Sequence, residues 1–95
     1  MVIQCQSLDE VREQIDRIDR QLVALLAERS GYVLQAAAFK RTAADVAAPR
    51  RVEQVVARVR HLAMAEGVDA DLVEQVYRTM IARFIDIEQA EYAGR

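Results

Sequence analysis

Apolar residues recur along the first third of the chain at Leu8, Val11, Ile15, Ile18, Leu22, Leu25 and Leu26, then at Tyr32, Val33, Ala36, Ala37 and Phe39. The steps are mainly three and four, the period of one helix face, and no proline interrupts residues 8–41. Ser7-Leu8-Asp9-Glu10 opens the run as a capping box, with the Ser7 hydroxyl accepting from the N–H three residues on while Glu10 reaches back. The pattern predicts one helix over 8–41, preceded by a flexible lead of residues 1–7. Gly31 is its internal weak point, costing about 1 kcal/mol relative to Ala, and reads as a point of close helix packing.

Pro49 marks the first turn of a second helix, where its missing N–H is not needed. Val52, Val55, Val56, Val59, Leu62 and Ala63 form that helix's stripe, and Gly67 stops it. Asp69 then caps a third helix carrying Leu72, Val73, Val76, Tyr77, Met80, Ile81, Phe84, Ile85 and Ile87, which frays near Gly94. Residues 41–48 form the one long connection. The expected fold is all-α: a single domain over 1–95, three helices, one of them long and N-terminal.

Length turns this pattern into an assembly argument. A helix over 8–41 is about 50 Å long, whereas a compact globule of this size is about 32 Å across. The long helix must overhang with its apolar stripe uncovered, and a second copy across a two-fold axis is the simplest cover. An intertwined helical homodimer is expected.

Composition narrows the chemistry. The 95 residues are 53% hydrophobic but only 5% aromatic, with one Pro and three Gly, too apolar for disorder and too poor in turn residues for many short strands. A net charge of −2 gives no general attraction to nucleic acid or to an anionic membrane, so neither is an expected partner. No stretch has the length of a membrane span and the first residues lack the character of a signal peptide, which makes the cytoplasm the expected compartment. Cys5 and His61 are each the only residue of their type. Thiolate clusters, metal sites and histidine-based nucleophilic devices are not expected, and no cofactor is implied. Cys5 reads as an incidental thiol and His61 as a surface residue.

Function must therefore come from charged side chains and shape. Arg29 continues the row Ile15, Ile18, Leu22, Leu25, so a cation takes a place the seam would give to leucine. On a continuous helix Lys40 would look out about 20° away and about 16 Å along. Either both snorkel, laying methylenes on the core, or they converge on one ligand. Arg12 lies about 25 Å from Arg29 along the helix and about 100° around it. Alone it reads as a solvated charge, but antiparallel pairing of two copies near residues 22–24 would carry it to the partner's Arg29–Lys40 stretch. On the second helix Arg51 lies on the flank of the apolar stripe, sharing a row with Val55 and Leu62, while Arg50 points away. On the third, Glu88 extends the row Val73, Tyr77, Ile81, Phe84, where a carboxyl must be paired or protonated. Four cations and one carboxyl around a cavity suit a small di- or tri-anion. The other charges, Arg58, Arg60 and Arg78 among them, read as surface or helix pairs.

These residues resemble the all-helical chorismate mutase family, three-helix chains that form intertwined homodimers, over about residues 8–92. The likeness rests on Leu8-Asp9-Glu10-Val11-Arg12-Glu13-Gln14-Ile15-Asp16, Leu25-Leu26-Ala27-Glu28-Arg29, Ala38-Phe39-Lys40, Arg51 and Val68-Asp69. It implies that the arginines bind the two carboxylates of chorismate, Arg12 from the other subunit, and that Lys40 donates to the ether oxygen as its C–O bond breaks. Val52 follows Arg51 where many members have a glutamate that contacts the substrate hydroxyl, and Ala48 stands where an aspartate is common. The stretch Ala48-Pro49-Arg50-Arg51-Val52 is instead similar to a sister branch, the isochorismate-pyruvate lyases of salicylate synthesis. Glu88 aligns with a glutamine that donates to the ether oxygen in both branches, although some mutases use glutamate. Gln89, about 100° further round, is the other candidate for that role.

The resemblance implies an intramolecular isomerase of aromatic amino-acid biosynthesis converting chorismate to prephenate, with the lyase as the second possibility. Arg12 and Arg29 would clamp the carboxylates of a folded substrate, while Lys40 and protonated Glu88 would face the oxygen on which charge grows. Outside the enzymes, the same residues fit a helical dimerisation or regulatory module whose interior charges only snorkel.

Overall fold

The computed structural model describes residues 1–94, and every regular element among them is helical. Three long helices appear where the periodicity places them: α1 at Leu8–Ala37, α3 at Pro49–Glu66 and α4 at Ala70–Ala93. The connection between the first two is not all loop. A one-turn helix, α2, spans Ala43–Ala47.

Local chemistry sets most of the boundaries. At the start of α1 the Glu10 N–H donates to Ser7 Oγ over 3.1 Å. The Glu10 carboxylate reaches one residue beyond the cap and accepts from the Gln6 N–H at 2.7 Å, which ties the end of the lead to the first turn. Pro49 occupies the opening of α3. Gly67 closes that helix in the left-handed region (φ 73°), where a glycine pays no Cβ penalty, and Val68 N–H returns to the Ala63 carbonyl at 2.9 Å. The Asp69 side chain accepts from Asp71 N–H at 2.9 Å and from Leu72 N–H, satisfying two of the donors a helix start leaves orphaned.

The end of α1 differs from expectation. The helix stops at Ala37 rather than running to residue 41, because its last turn tightens. Ala38, Phe39 and Lys40 N–H groups donate to carbonyls only three residues back, those of Gln35, Ala36 and Ala37, over 3.0–3.2 Å. Beyond it a second capping box takes over. Thr42 Oγ1 accepts from Asp45 N–H at 3.1 Å, and Asp45 Oδ2 accepts from Thr42 N–H at 3.2 Å and from Arg41 N–H at 3.1 Å. The competing local bonds of Thr42 and Asp45 turn the chain out of α1 and start α2. Ala48 then joins α2 to α3 with a left-handed backbone (φ 38°, ψ 59°), strain of about 1 kcal/mol for a residue with a Cβ.

The chain divides into two compact units, Met1–Val33 and a second beginning at Leu34. In the first, the lead and one face of α1 line an open cleft that includes Val2, Ile3, Val11, Ile15 and Ile18. The apolar row of α1 is exposed within the chain, with Leu22 at 53% and Leu25 at 60%. A Cβ at Gly31 would meet nothing within 4 Å, so no close packing among the described residues accounts for that glycine.

In the second unit α4 packs against both α3 and α2. The core consists of Ala37, Val46, Val55, Val56, Val59 and Ala63, the inward positions of α3 joined by one residue of α2 and the last of α1. An ion network brackets the α3–α4 contact on its outer side. Arg60 pairs with Asp71 at 2.9 Å and Glu74 at 2.7 Å, and Arg78 pairs with Glu74 at 2.7 Å and Glu53 at 2.9 Å. Hydrogen bonding from Arg78, then from Arg60, holds the Glu74 carboxyl below its ordinary value, and the Arg41 backbone N–H does the same for Asp45.

Both carboxyls bind protons more weakly folded than unfolded. Their stabilisation is therefore complete above the ordinary values of 4.5 and 3.8 and is lost as pH falls through the lowered ones. The melting temperature is expected to drop on acidification below about pH 4.5, and Glu74→Gln should flatten the upper part of that drop. Thermal melts of the two proteins between pH 3 and 7 check this; parallel curves would leave Glu74 without a part in it.

Candidate active site

The site begins with the two residues least at home in their surroundings. Glu88 lies on α4 in the row of Val73, Tyr77, Ile81 and Phe84, all half-buried, and is itself only 3% exposed, the one charged side chain in the core among the described residues. Leaving a carboxylate there alone would be costly. Lys40 meets it: its Nζ lies 2.8 Å from Glu88 Oε2, and its side chain remains 24% exposed. Of the two options open to a carboxyl at this position, paired or protonated, the structure shows the pair.

Lys40 arrives there by the early end of α1. Two turns past Gly31 the helix has stopped, so the lysine stands on the turn that follows and not on the helix face it was expected to share with Arg29. The convergence of long side chains along one continuous helix is replaced by a loop placed against α4. Gln89, the other candidate beside Glu88, faces elsewhere: its Nε2 donates to the Ala43 carbonyl at 3.1 Å. Glu88 is the group next to the ammonium.

The remaining candidates are spread between the two units. Arg51 is exposed in the first turn of α3, with Val52 beside it half-buried; Arg50 is exposed as well. Arg12 is exposed and Arg29 half-buried on α1, within the N-terminal unit. Because α1 is unbroken between them, these two arginines stand about 25 Å apart and do not share a small ligand within one chain. Among the described residues no three His, Cys, Asp or Glu side chains are grouped as metal ligands, and no helix is long and apolar enough to cross a membrane. His61 is exposed and Cys5 half-buried.

Residues 11–89 match the family described as chorismate mutase type II, a span that takes in Arg12, Arg29, Lys40, Arg51, Val52 and Glu88. The chain belongs to that family. It is also 38% identical over 88 residues to the isochorismate pyruvate lyase of Pseudomonas aeruginosa, an alignment covering 93% of this chain and 86% of that protein. For a chorismate mutase type II chain, the Lys40–Glu88 pair gives a compact chemical device. The ammonium supplies up to three donors and full positive charge, and the carboxylate fixes where it points without itself reaching water.

Two side chains near this device escape sequence reasoning. Tyr92 donates its hydroxyl to the Arg41 carbonyl at 3.0 Å, and Thr42 caps α2. The second was within reach, since Thr42-Ala-Ala-Asp45 has the spacing of a capping box. Tyr92 had no such signal: it sits in the last turn of α4, where periodicity says only that it shares a face with Glu88.

Proposed function

We propose that this chain catalyses the cleavage of isochorismate to salicylate and pyruvate, working as a homodimer in which each site takes Arg12 from the partner. The observation that carries the reaction class is the Lys40–Glu88 pair, a cation held by a buried carboxylate at 2.8 Å. Breaking the enolpyruvyl ether puts negative charge on its oxygen, and a preorganised ammonium in a poorly hydrated place stabilises that charge without having to reorganise. Atom balance defines the rest. Salicylate and pyruvate together contain every atom of isochorismate, so one hydrogen passes from the ring to the enolpyruvyl methylene as the C–O bond breaks. No external nucleophile is consumed. The protein's task is to fold the substrate and hold its two carboxylates, which Arg12 and Arg29 suit by bidentate binding, with Arg51 as a third cation at the start of α3.

The choice of isochorismate rests on two supports. The stretch Ala48-Pro49-Arg50-Arg51-Val52 lacks the carboxylate after Arg51 that would bind the hydroxyl of chorismate, and the likeness to a lyase extends over 93% of the chain. Together they reverse the order implied by the family resemblance, which put the chorismate-to-prephenate rearrangement first. One observation favours that rearrangement. Glu88 stands where the lyase branch has a glutamine, and a carboxyl there is a feature of some mutases. The dimer is supported by the exposed apolar row of α1, which includes Ile15, Ile18, Leu22 and Leu25 and is too extensive for a single small domain to leave in water.

Supplying purified protein with isochorismate and chorismate separately decides between the readings. Salicylate fluorescence and pyruvate from isochorismate are expected at a kcat/KM above that for prephenate from chorismate. The reverse ratio would make the chain a mutase, and no product from either substrate would leave a helical dimerisation module.

A further inference from the structure

One turn of α4 holds the chain around Lys40 at three points. Glu88 accepts from the Lys40 ammonium at 2.8 Å, Gln89 Nε2 donates to the Ala43 carbonyl at 3.1 Å, and Tyr92 Oη donates to the Arg41 carbonyl at 3.0 Å. The first bond grips the end of a flexible side chain, whereas the other two grip backbone on its C-terminal side. We propose that Gln89 and Tyr92 are positioning residues that lock the 40–43 backbone onto α4 and so fix the place from which Lys40 acts. This rests on the reading of Lys40 as the donor to the ether oxygen.

The need for such a lock follows from what surrounds Lys40. Its own N–H donates to the Ala37 carbonyl in the tight three-residue turn that ends α1. The next helix is five residues long, far too short to be stable by itself. Its capping box, with Asp45 accepting from Arg41 and Thr42 N–H groups, stiffens the loop internally but ties it to nothing else. Anchorage to the rest of the fold comes from Val46, 2% exposed, and from Gln89 and Tyr92. The bond to Glu88 grips the mobile end of the Lys40 side chain and leaves the position of its backbone open. The backbone must then be held by groups that do not move with the ammonium, and the amide of Gln89 and the hydroxyl of Tyr92 meet that condition. Displacing a catalytic group by about 1 Å costs up to about 100-fold in rate, so a loop released at Arg41 and Ala43 shows in turnover before it shows in binding.

The test is a double-mutant cycle in the full-length protein, with thermal melting recorded for every variant. Tyr92→Phe removes one hydroxyl and Gln89→Leu one amide; each is expected to lower kcat about fivefold to tenfold with KM within about twofold, and the pair about 50-fold. In the Lys40→Ala background the same changes should have no further effect on kcat, since the group they position is gone. A role confined to folding would instead lower activity equally in both backgrounds, which overturns the proposal. So would kcat values within twofold of wild type for both single variants while Lys40→Ala is deeply impaired. If Lys40→Ala itself turns over normally, the reading of Lys40 as donor falls, and the positioning role with it; that outcome is read from the lysine variant alone.

Discussion

Mixing Arg12→Ala protein with Arg29→Ala protein should restore activity that neither possesses alone. The two arginines lie on one unbroken helix, α1, about 25 Å apart and about 100° round from each other, so one chain cannot bring both to a single small dianion. Antiparallel pairing of two copies about residues 22–24 brings Arg12 of each near Arg29 of the other, and it covers the exposed leucines of the row in doing so. Each single variant should lose at least about 30-fold in kcat/KM, the equivalent of about 2 kcal/mol for removing one partner of a desolvated charge pair. After exchange, a mixed dimer has one site with both arginines and one with neither. Random mixing makes about half of the dimers mixed, so about a quarter of wild-type activity is the ceiling. Exchange verified by mass-tagged subunits, with no recovered activity, would mean that each site draws both arginines from one chain or uses only one.

The second large effect is expected at Lys40. On the proposed reading its charge counts most when the ether bond is breaking, so Lys40→Ala should lower kcat about 100-fold to 1000-fold while KM changes much less. A fall of less than about threefold, under about 0.7 kcal/mol of barrier, would show the ammonium is not the donor. The same substitution strands Glu88, 3% exposed, without its partner at 2.8 Å. Stability should therefore fall by on the order of 3 kcal/mol. Adding Glu88→Gln removes the stranded charge and should recover most of that stability but none of the turnover, which separates the two roles of the lysine. In the otherwise unchanged protein Glu88→Gln should retain activity within about tenfold of wild type, because the amide oxygen still accepts from the Lys40 ammonium and keeps it in place. Glu88→Ala, which removes the lysine's partner altogether, should not.

Sequence alone was enough for the three long helices and for the charges that break their apolar rows. The three-and-four spacing, Ser7 and Glu10, Pro49, Gly67 and Asp69 all act through backbone hydrogen bonds and side-chain period within about one turn. Their effect is local, and the structure places α1, α3 and α4 on those signals. The out-of-place charges were equally legible, because Arg29 and Glu88 interrupt apolar rows whatever packs against them. Only the tertiary structure decided how Lys40 and Glu88 are used. The expected helix to residue 41 would have set Lys40 on the face of Arg29; the tightened turn after Ala37 and the Thr42–Asp45 capping box together move it onto a loop instead. Where that loop lies depends on contacts between residues 46 to 51 positions apart, Gln89 with Ala43, Lys40 with Glu88 and Tyr92 with Arg41. A periodic pattern reports which face of a helix is buried but not which distant group meets it, so the pairing of a buried carboxylate with a loop lysine had to wait for the packing of α4 against α2 and α3.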